Sequence, residues 1–432
     1  MKIAILGYGK QGRAAYEYWH QGNEITICDE DEDLAVPAGA QSRLGSSYLH
    51  GLEAFDLIVR SPSVHPQAIA AANTPAIADK ITTVTNEFFR VCPSKHIIGV
   101  TGTKGKGTTC TLIAKILEAD GKRVHLGGNI GTPPLDLLKN DIRPDDWVVL
   151  ELANFQLIDL KYSPPIAVCL MVSPEHLDWH ADSEEYFESK TWLFRHQTQA
   201  DAAIYYAENE ISKRIAAAGP GHKLPYMAAP GALVQDDKVV IGDQVICGVD
   251  ELKLLGRHNW QNVCAAVTAV WQVTQNIEAA RSVLASFSGL EHRLELVREL
   301  DGVRYYNDSF GTTPETAIVA IQAFDEPKVV ILGGSDKGAS YDELARTVAA
   351  SNIRKVLLIG EQAARIKAAL DAAGFTNTMD GGKNIQEIVA TARSEARPGD
   401  VIVLSTACAS FDMFDNYQQR GEAFKQAVQA LA

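Results

Sequence analysis

The residues best suited to chemistry lie in one run, Gly99-Val100-Thr101-Gly102-Thr103-Lys104-Gly105-Lys106-Gly107-Thr108-Thr109. Glycines let a backbone wrap a phosphate, and the free N–H groups and dipole at a helix start favour an anion. Lys106 can neutralise β/γ-phosphate charge, and Thr108 or Thr109 can offer a hydroxyl to Mg²⁺. The strict Walker spacing needs glycine where Val100 stands and a hydroxyl where Gly107 stands. A solvated turn explains two lysines among three glycines poorly, so the run is a candidate ATP cradle.

A second glycine turn, Gly7-Tyr8-Gly9-Lys10-Gln11-Gly12, fits GxGxxG. Gly9, Lys10, Gln11 and Gly12 can hold a diphosphate, and Asp29 can bind a ribose hydroxyl. The motif does not separate NAD from a UDP-sugar, and a tight turn needing glycine for geometry alone is its plain alternative. Glu151 ends a buried strand, and Glu175-His176-Leu177-Asp178 follows another. Ligands of open α/β sheets gather at the carboxyl ends of strands, so these groups can converge beside ATP as a Mg²⁺ environment. Each alone has an ordinary structural explanation; together with the glycine loop they read as a site.

Positioning these residues takes alternating strands and helices. Strands are expected over 2–6, 24–29, 57–60, 96–100, 148–152, 166–172, 202–206, 303–307, 328–332, 356–359 and 401–404. Helices are expected over 13–20, 108–120, 184–198, 341–350, 363–372, 385–396 and 418–431, with a small hairpin region at 234–249. The pattern is α/β throughout. At ~150 residues per domain, 432 residues predict about three domains. Boundaries near Pro93 and Leu290 give a Rossmann-like unit at 1–93, a P-loop ATPase-like parallel sheet at 94–289 and a Rossmann-like unit at 290–432.

The net charge of −14 argues against a generic nucleic-acid or anionic-membrane surface. No apolar run approaches the ~20 residues of a membrane span. The N-terminal strand shows no cleavage site, so no secretory signal is expected. Seven scattered cysteines without a CxxC pair fit buried thiols in a reducing cytoplasm.

The order of motifs resembles the Mur ligases, cytoplasmic ATP-dependent amide-forming enzymes of peptidoglycan synthesis. It runs through Gly102-Thr103-Lys104-Gly105-Lys106, Gly128-Asn129-Ile130-Gly131, Glu151-Leu152-Ala153-Asn154-Phe155-Gln156-Leu157 and Glu175-His176-Leu177-Asp178. It continues through Gly256-Arg257-His258-Asn259-Trp260-Gln261-Asn262, Gly289-Leu290-Glu291-His292-Arg293 and Tyr306-Asn307-Asp308-Ser309. The segment from Ser405 to Phe414, with Asn416-Tyr417 and Gln419-Arg420-Gly421, is most similar to the branch that adds D-glutamate to UDP-N-acetylmuramoyl-L-alanine.

The resemblance implies roles. Lys106 and its loop hold the ATP phosphates. Glu151 and His176 hold Mg²⁺, with Lys190, preceded by Tyr186, as a carbamate toward a second ion. Asn129 contacts the muramoyl substrate and the reacting phosphate. Asn259 and Asn262 face the base, while Arg293 and Asp308 close over ATP. Ser61 and Pro62 join the first glycine turn in holding UDP. Thr312, Lys337, Ser410 and Tyr417 receive the incoming glutamate. The substrates are small molecules, and a monomer is expected.

Three departures stand out. Phe310 replaces the lysine of the family's Asp-Ser-Lys-x-Thr, Ala153-Asn154 replaces a Ser-Ser, and the acidic run Glu30-Asp31-Glu32-Asp33 follows Asp29. A folylpolyglutamate synthase, whose loop Gly107-Thr108 fits better, lacks an N-terminal unit of this sort. A nucleotide sensor on a retired ligase fold is disfavoured by intact Lys106, Glu151, His176 and Lys190.

Overall fold

The computed structural model describes residues 1–254, 256, 258–336 and 338–432. These form two compact units, one of residues 1–252 with 257–287 and the other of residues 253–256 with 288–432.

The first unit holds two parallel sheets. Strands of three to six residues make the first, in the order Gln41–Leu44, Glu24–Asp29, Lys2–Leu6, Leu57–Arg60, Ile81–Thr83. The second runs His222–Tyr226, Ala202–Tyr206, Ile166–Cys169, His96–Thr101, Trp147–Glu151, Val124–Gly128. His96–Thr101 is central, and its two neighbours are reached by connections running opposite ways. Its carboxyl end is therefore the crevice where α/β sheets bind ligands. Ile97, Ile98 and Val100 are buried, as expected for a strand covered on both faces. Side chains of the two sheets, among them Ile3, Ile5, Leu150 and Ala167, belong to one apolar cluster. A three-stranded antiparallel sheet, Leu233–Gln235, Lys238–Ile241 and Gln244–Gly248, occupies the expected hairpin region.

The second unit has one mixed sheet. Glu295–Leu300 pairs antiparallel with Val303–Asn307, followed in parallel by Val401–Leu404, Lys328–Gly333, Ile353–Ile359 and Thr378–Asp380. Glu295–Leu300 was not expected: it is a polar, half-exposed edge strand with weak β patterning.

Several boundaries differ from the sequence expectation. The helix after the phosphate loop begins at Lys106, because Gly105 adopts a left-handed φ of 88° and turns the chain directly into it. The first helix begins at Lys10, with Gly9 as its N-cap in an extended conformation. The strand expected over 166–172 stops at Cys169. Beyond it, Leu170 N–H donates to Thr101 O, and Met171 O accepts from Thr103 N–H, so this segment laces the loop instead of extending the sheet.

Candidate active site

The phosphate loop is shaped by glycines where side chains would collide. Gly102 has a φ of 145°, and a Cβ there would lie 2.7 Å from Leu170 Cβ. A Cβ on Gly105 would lie 2.2 Å from Asn262 Oδ1. Thr109 N–H makes a helical hydrogen bond to Gly105 O, which leaves the earlier N–H groups of this helix to face an anion. Thr103 is locked by its hydroxyl, which donates to Ser173 O at 3.0 Å and lies 2.9 Å from the Tyr186 hydroxyl. Lys104 is exposed, whereas Gly107 and Thr108 are buried. Lys106 Nζ donates to Gly102 O at 3.0 Å and Thr103 O at 2.9 Å.

Lys190, on the helix Ser183–Arg195, is only 1% exposed. Its Nζ lies 3.4 Å from Gly102 O and 4.3 Å from the Tyr186 ring centroid. Burial, reinforced by the Lys106 charge, pulls its pKa down to about 7. The structure thus brings two lysines from distant segments to one glycine carbonyl. Burial also raises the Tyr186 hydroxyl above its usual value.

Glu151 ends the strand beside the loop strand and is 6% exposed. Asn129 Nδ2 donates to Glu151 Oε1 at 2.9 Å, and the Asn129 backbone N–H donates to Glu151 O at 2.8 Å. Gly128 permits this approach, since a Cβ there would lie 2.2 Å from Glu151 O. A buried carboxylate with one neutral amide partner suits a cation, because an uncompensated buried charge is costly. His176 has a left-handed φ of 58° and packs its ring 4.8 Å from Phe155. Among the described residues no hydrogen bond or ion pair joins His176 to Glu151. Thr109 Oγ1 lies 3.4 Å from Asn262 Oδ1, and Asn262 Nδ2 donates to Asn259 Oδ1 at 2.7 Å.

The first glycine turn is equally tight. A Cβ on Gly12 would lie 2.0 Å from Gly7 O, and Ser61 Oγ donates to that same carbonyl at 2.7 Å. Gly9 caps the helix Lys10–Trp19; Gln11 and Pro62 are half-buried beside it. Lys10 Nζ donates to Gly131 O, joining this turn to the Asn129 segment. Asp29 accepts from Tyr8 N–H at 2.7 Å and Asp31 N–H at 3.1 Å. It therefore braces the turn as well as being a ribose candidate.

In the second unit, Asp308 is buried, accepts from Ser405 Oγ at 2.6 Å, and is pushed by burial up to a pKa of about 7. The Arg293 guanidinium lies 4.2 Å over the Phe310 ring, which meets Tyr417 edge-on at 5.2 Å. The aromatic ring that stands in place of a lysine thus contacts two candidate site residues, one over its face and one edge-on. Ser410 is buried and Thr312 half-buried. Lys337 lies outside the described residues.

Sequence reasoning missed His180. It is 3% exposed, meets Asn154 Nδ2 through Nε2 at 2.8 Å, and faces Glu185 Oε2 through Nδ1 at 3.2 Å. Its four-residue spacing from His176 was a visible signal.

Residues 100–270 match the Mur ligase middle domain, and residues 292–408 match the Mur ligase, glutamate ligase domain. A UDP-N-acetylmuramoylalanine--D-glutamate ligase of Clostridium tetani is 35% identical, covering 100% of this chain and 97% of its own. One from Symbiobacterium thermophilum is 38% identical, covering 100% of this chain and 98% of its own. A MurF ligase from Thermotoga maritima, solved in complex with ADP, has a TM-score of 0.60 at 16% identity. That likeness covers 100% of this chain and 95% of the other. E. coli FolC, solved with DHPP and ADP, has a TM-score of 0.58 at 16% identity, covering 80% of this chain and 92% of its own. These two likenesses speak for the fold alone, whereas the end-to-end alignments carry the family. The chain belongs to the Mur ligases.

Proposed function

We propose that the chain joins D-glutamate to the alanine carboxylate of UDP-N-acetylmuramoyl-L-alanine, driven by ATP, in peptidoglycan precursor synthesis. A carboxylate is a poor electrophile, and an amine does not displace its oxygen in water. In the proposed route the carboxylate attacks the γ-phosphorus, giving an acyl phosphate and ADP. The glutamate amine then attacks the acyl carbon, phosphate leaves and the amine proton is released. The observation that carries this reading is the glycine loop at the carboxyl end of the central strand, with Lys106 and buried Lys190 both at Gly102 O.

Lys106 and the helix N-terminus neutralise the transferring phosphate and align it, which is most of what phosphoryl transfer needs. The Thr109 hydroxyl is turned to Asn262, which favours Thr108 as the hydroxyl for Mg²⁺. Thr108 with Glu151, and His176 with a carbamate on Lys190, would hold two Mg²⁺ ions, which supply further charge neutralisation at the phosphate oxygens. A Lys190 pKa of about 7 supports carbamylation, because the neutral amine that attacks CO₂ is abundant near neutral pH. Asn129 orients Glu151 and faces the muramoyl end; the first glycine turn with Asp29, Ser61 and Pro62 holds UDP. Arg293, Asp308, Thr312, Lys337, Ser410 and Tyr417 serve ATP closure and the amino acid. The chain acts as a cytoplasmic monomer with neither nucleic acid nor membrane as partner. No helix among the described residues is long and apolar enough to cross a membrane.

The test is ADP release from ATP with UDP-N-acetylmuramoyl-L-alanine and D-glutamate, run beside L-glutamate and beside folate with L-glutamate. Turnover with the first set alone is expected; turnover only with folate, or none at all, overturns the reading. Lys106→Ala is expected to lower kcat by about 10²–10³-fold or more with an unchanged circular dichroism spectrum.

A further inference from the structure

Outside the phosphate loop, one carboxylate gathers more donors than its place on a helix needs. Glu185 lies in the first turn of the helix Ser183–Arg195. Its Oε2 accepts from Ala181 N–H at 2.8 Å and faces His180 Nδ1 at 3.2 Å. Its Oε1 accepts from Gln67 Nε2 at 2.8 Å, and His65 Nε2 stands 3.4 Å from Oε2. His65 caps the helix Pro66–Ala72 and Gln67 lies in its first turn, shortly after Ser61 and Pro62. His180 and Ala181 close the turn that starts at His176, whose carbonyl accepts from Trp179 N–H and His180 N–H. Trp179 Nε1 donates to Ser63 O at 3.2 Å, fastening the same two loops.

His65, His180 and Glu185 have the composition of a divalent-metal site. The proton positions argue against one. His65 Nδ1 accepts from Gln67 N–H at 3.1 Å, so the neutral ring carries its proton on Nε2, which lies 3.4 Å from Glu185 Oε2 without a hydrogen bond to it. His180 Nε2 meets the Asn154 amide nitrogen, so its proton sits on Nδ1, toward Glu185. A metal needs lone pairs where these rings present protons. The carboxylate takes the His180 proton together with the Gln67 and Ala181 donors.

We propose that Glu185 is a positioning residue for ligation: it holds the segment 61–67, which runs into the helix Pro66–Ala72, and the turn 176–181 in one register and so sets the muramoyl-nucleotide site. This rests on the ligase reading above. The ATP loop is fastened through Thr103 to Ser173 and Tyr186, and Glu185 reaches it only indirectly, through the turn that carries His176 and through the helix it shares with Tyr186, so the effect on ATP is expected to be the smaller one.

The test compares Glu185→Ala with Glu184→Ala, whose carboxylate makes an exposed pair with Arg214 on the same helix. Glu185→Ala is expected to raise KM for UDP-N-acetylmuramoyl-L-alanine about tenfold while KM for ATP stays within about threefold. Glu184→Ala is expected to change neither. His65→Asn keeps an acceptor for Gln67 N–H but removes the ring from Glu185, and is expected to raise the same KM. Hydrogen exchange without substrates is expected to quicken at 61–67 and 176–181 in Glu185→Ala and not at 102–109. That readout stands even if the unsubstituted chain releases no ADP, which would sink the ligase reading alone. An unchanged muramoyl KM in Glu185→Ala, a uniform rise in exchange, or stoichiometric Zn²⁺ binding lost in His65→Asn overturns the proposal.

Discussion

Lys106 and Lys190 reach the same glycine carbonyl, yet their surroundings give them different chemistry. Lys106 opens a helix, half-buried, where the proposed reading makes it a cation toward phosphate. Lys190 is buried, and desolvation pulls its pKa down to about 7, which leaves part of it as neutral amine near neutral pH. Its stability signature has a definite sign. The unfolded chain keeps that proton up to the ordinary lysine value of 10.5, whereas the folded chain releases it near 7. Between these values the unfolded state binds more protons, so stability rises with pH. In CO₂-free buffer, Lys190→Met is expected to flatten this rise, to lift Tm at pH 7 by about 2–4 °C, and to abolish ligation. Melts at pH 7 and pH 9 check it; parallel slopes for the two proteins would count against a depressed Lys190.

At the level of elements, the site depends on how a strand hands over to a helix. Gly105 is needed twice, for its left-handed φ and because Asn262, from the helix His258–Trp271, fills the space a Cβ would take. Gly105→Ala is expected to cost about 1–3 kcal/mol in unfolding free energy and to raise KM for ATP. Combining it with Asn262→Ala relieves the overlap but not the backbone strain, so stability recovers only in part. Denaturant melts of the single and double variants separate the two. Equal stability of Gly105→Ala and the parent would show that the loop does not need this conformation.

On the scale of the molecule, the first unit joins two sheets through a shared apolar cluster and a buried ion pair. Arg60, at the end of a first-sheet strand, donates to Asp159 through Nε at 2.7 Å and Nη2 at 2.6 Å, and to the carbonyls of Ser61, Val64 and Phe155. Arg60 sits directly before Ser61 and fully buried, so the pair fixes both the sheets and the segment from Ser61 to Val64. Arg60→Met is expected to cost about 3 kcal/mol, the low end for a broken buried pair because Asp159 keeps some water. The urea midpoint measures it, and a loss below about 1 kcal/mol would mark the pair as incidental. The net charge of −14 sets the wider problem, since three anionic substrates must be held by local cations and helix N-termini.

The sequence by itself determined the α/β class, most strand positions and the order of the glycine loop, Glu151, His176 and Lys190. Those signals are local: apolar runs of strand length, glycines where phosphate must approach, a lysine at a helix start. Only tertiary structure decided which of these residues meet. Lys190 comes to Gly102 O across 88 residues, and Glu185 gathers donors from a loop more than a hundred residues earlier. It also decided the Lys190 proton, because desolvation comes from packing that no spacing encodes. His180 escaped notice for the same reason: a lone histidine becomes a latch member only when folding brings it a carboxylate and an amide.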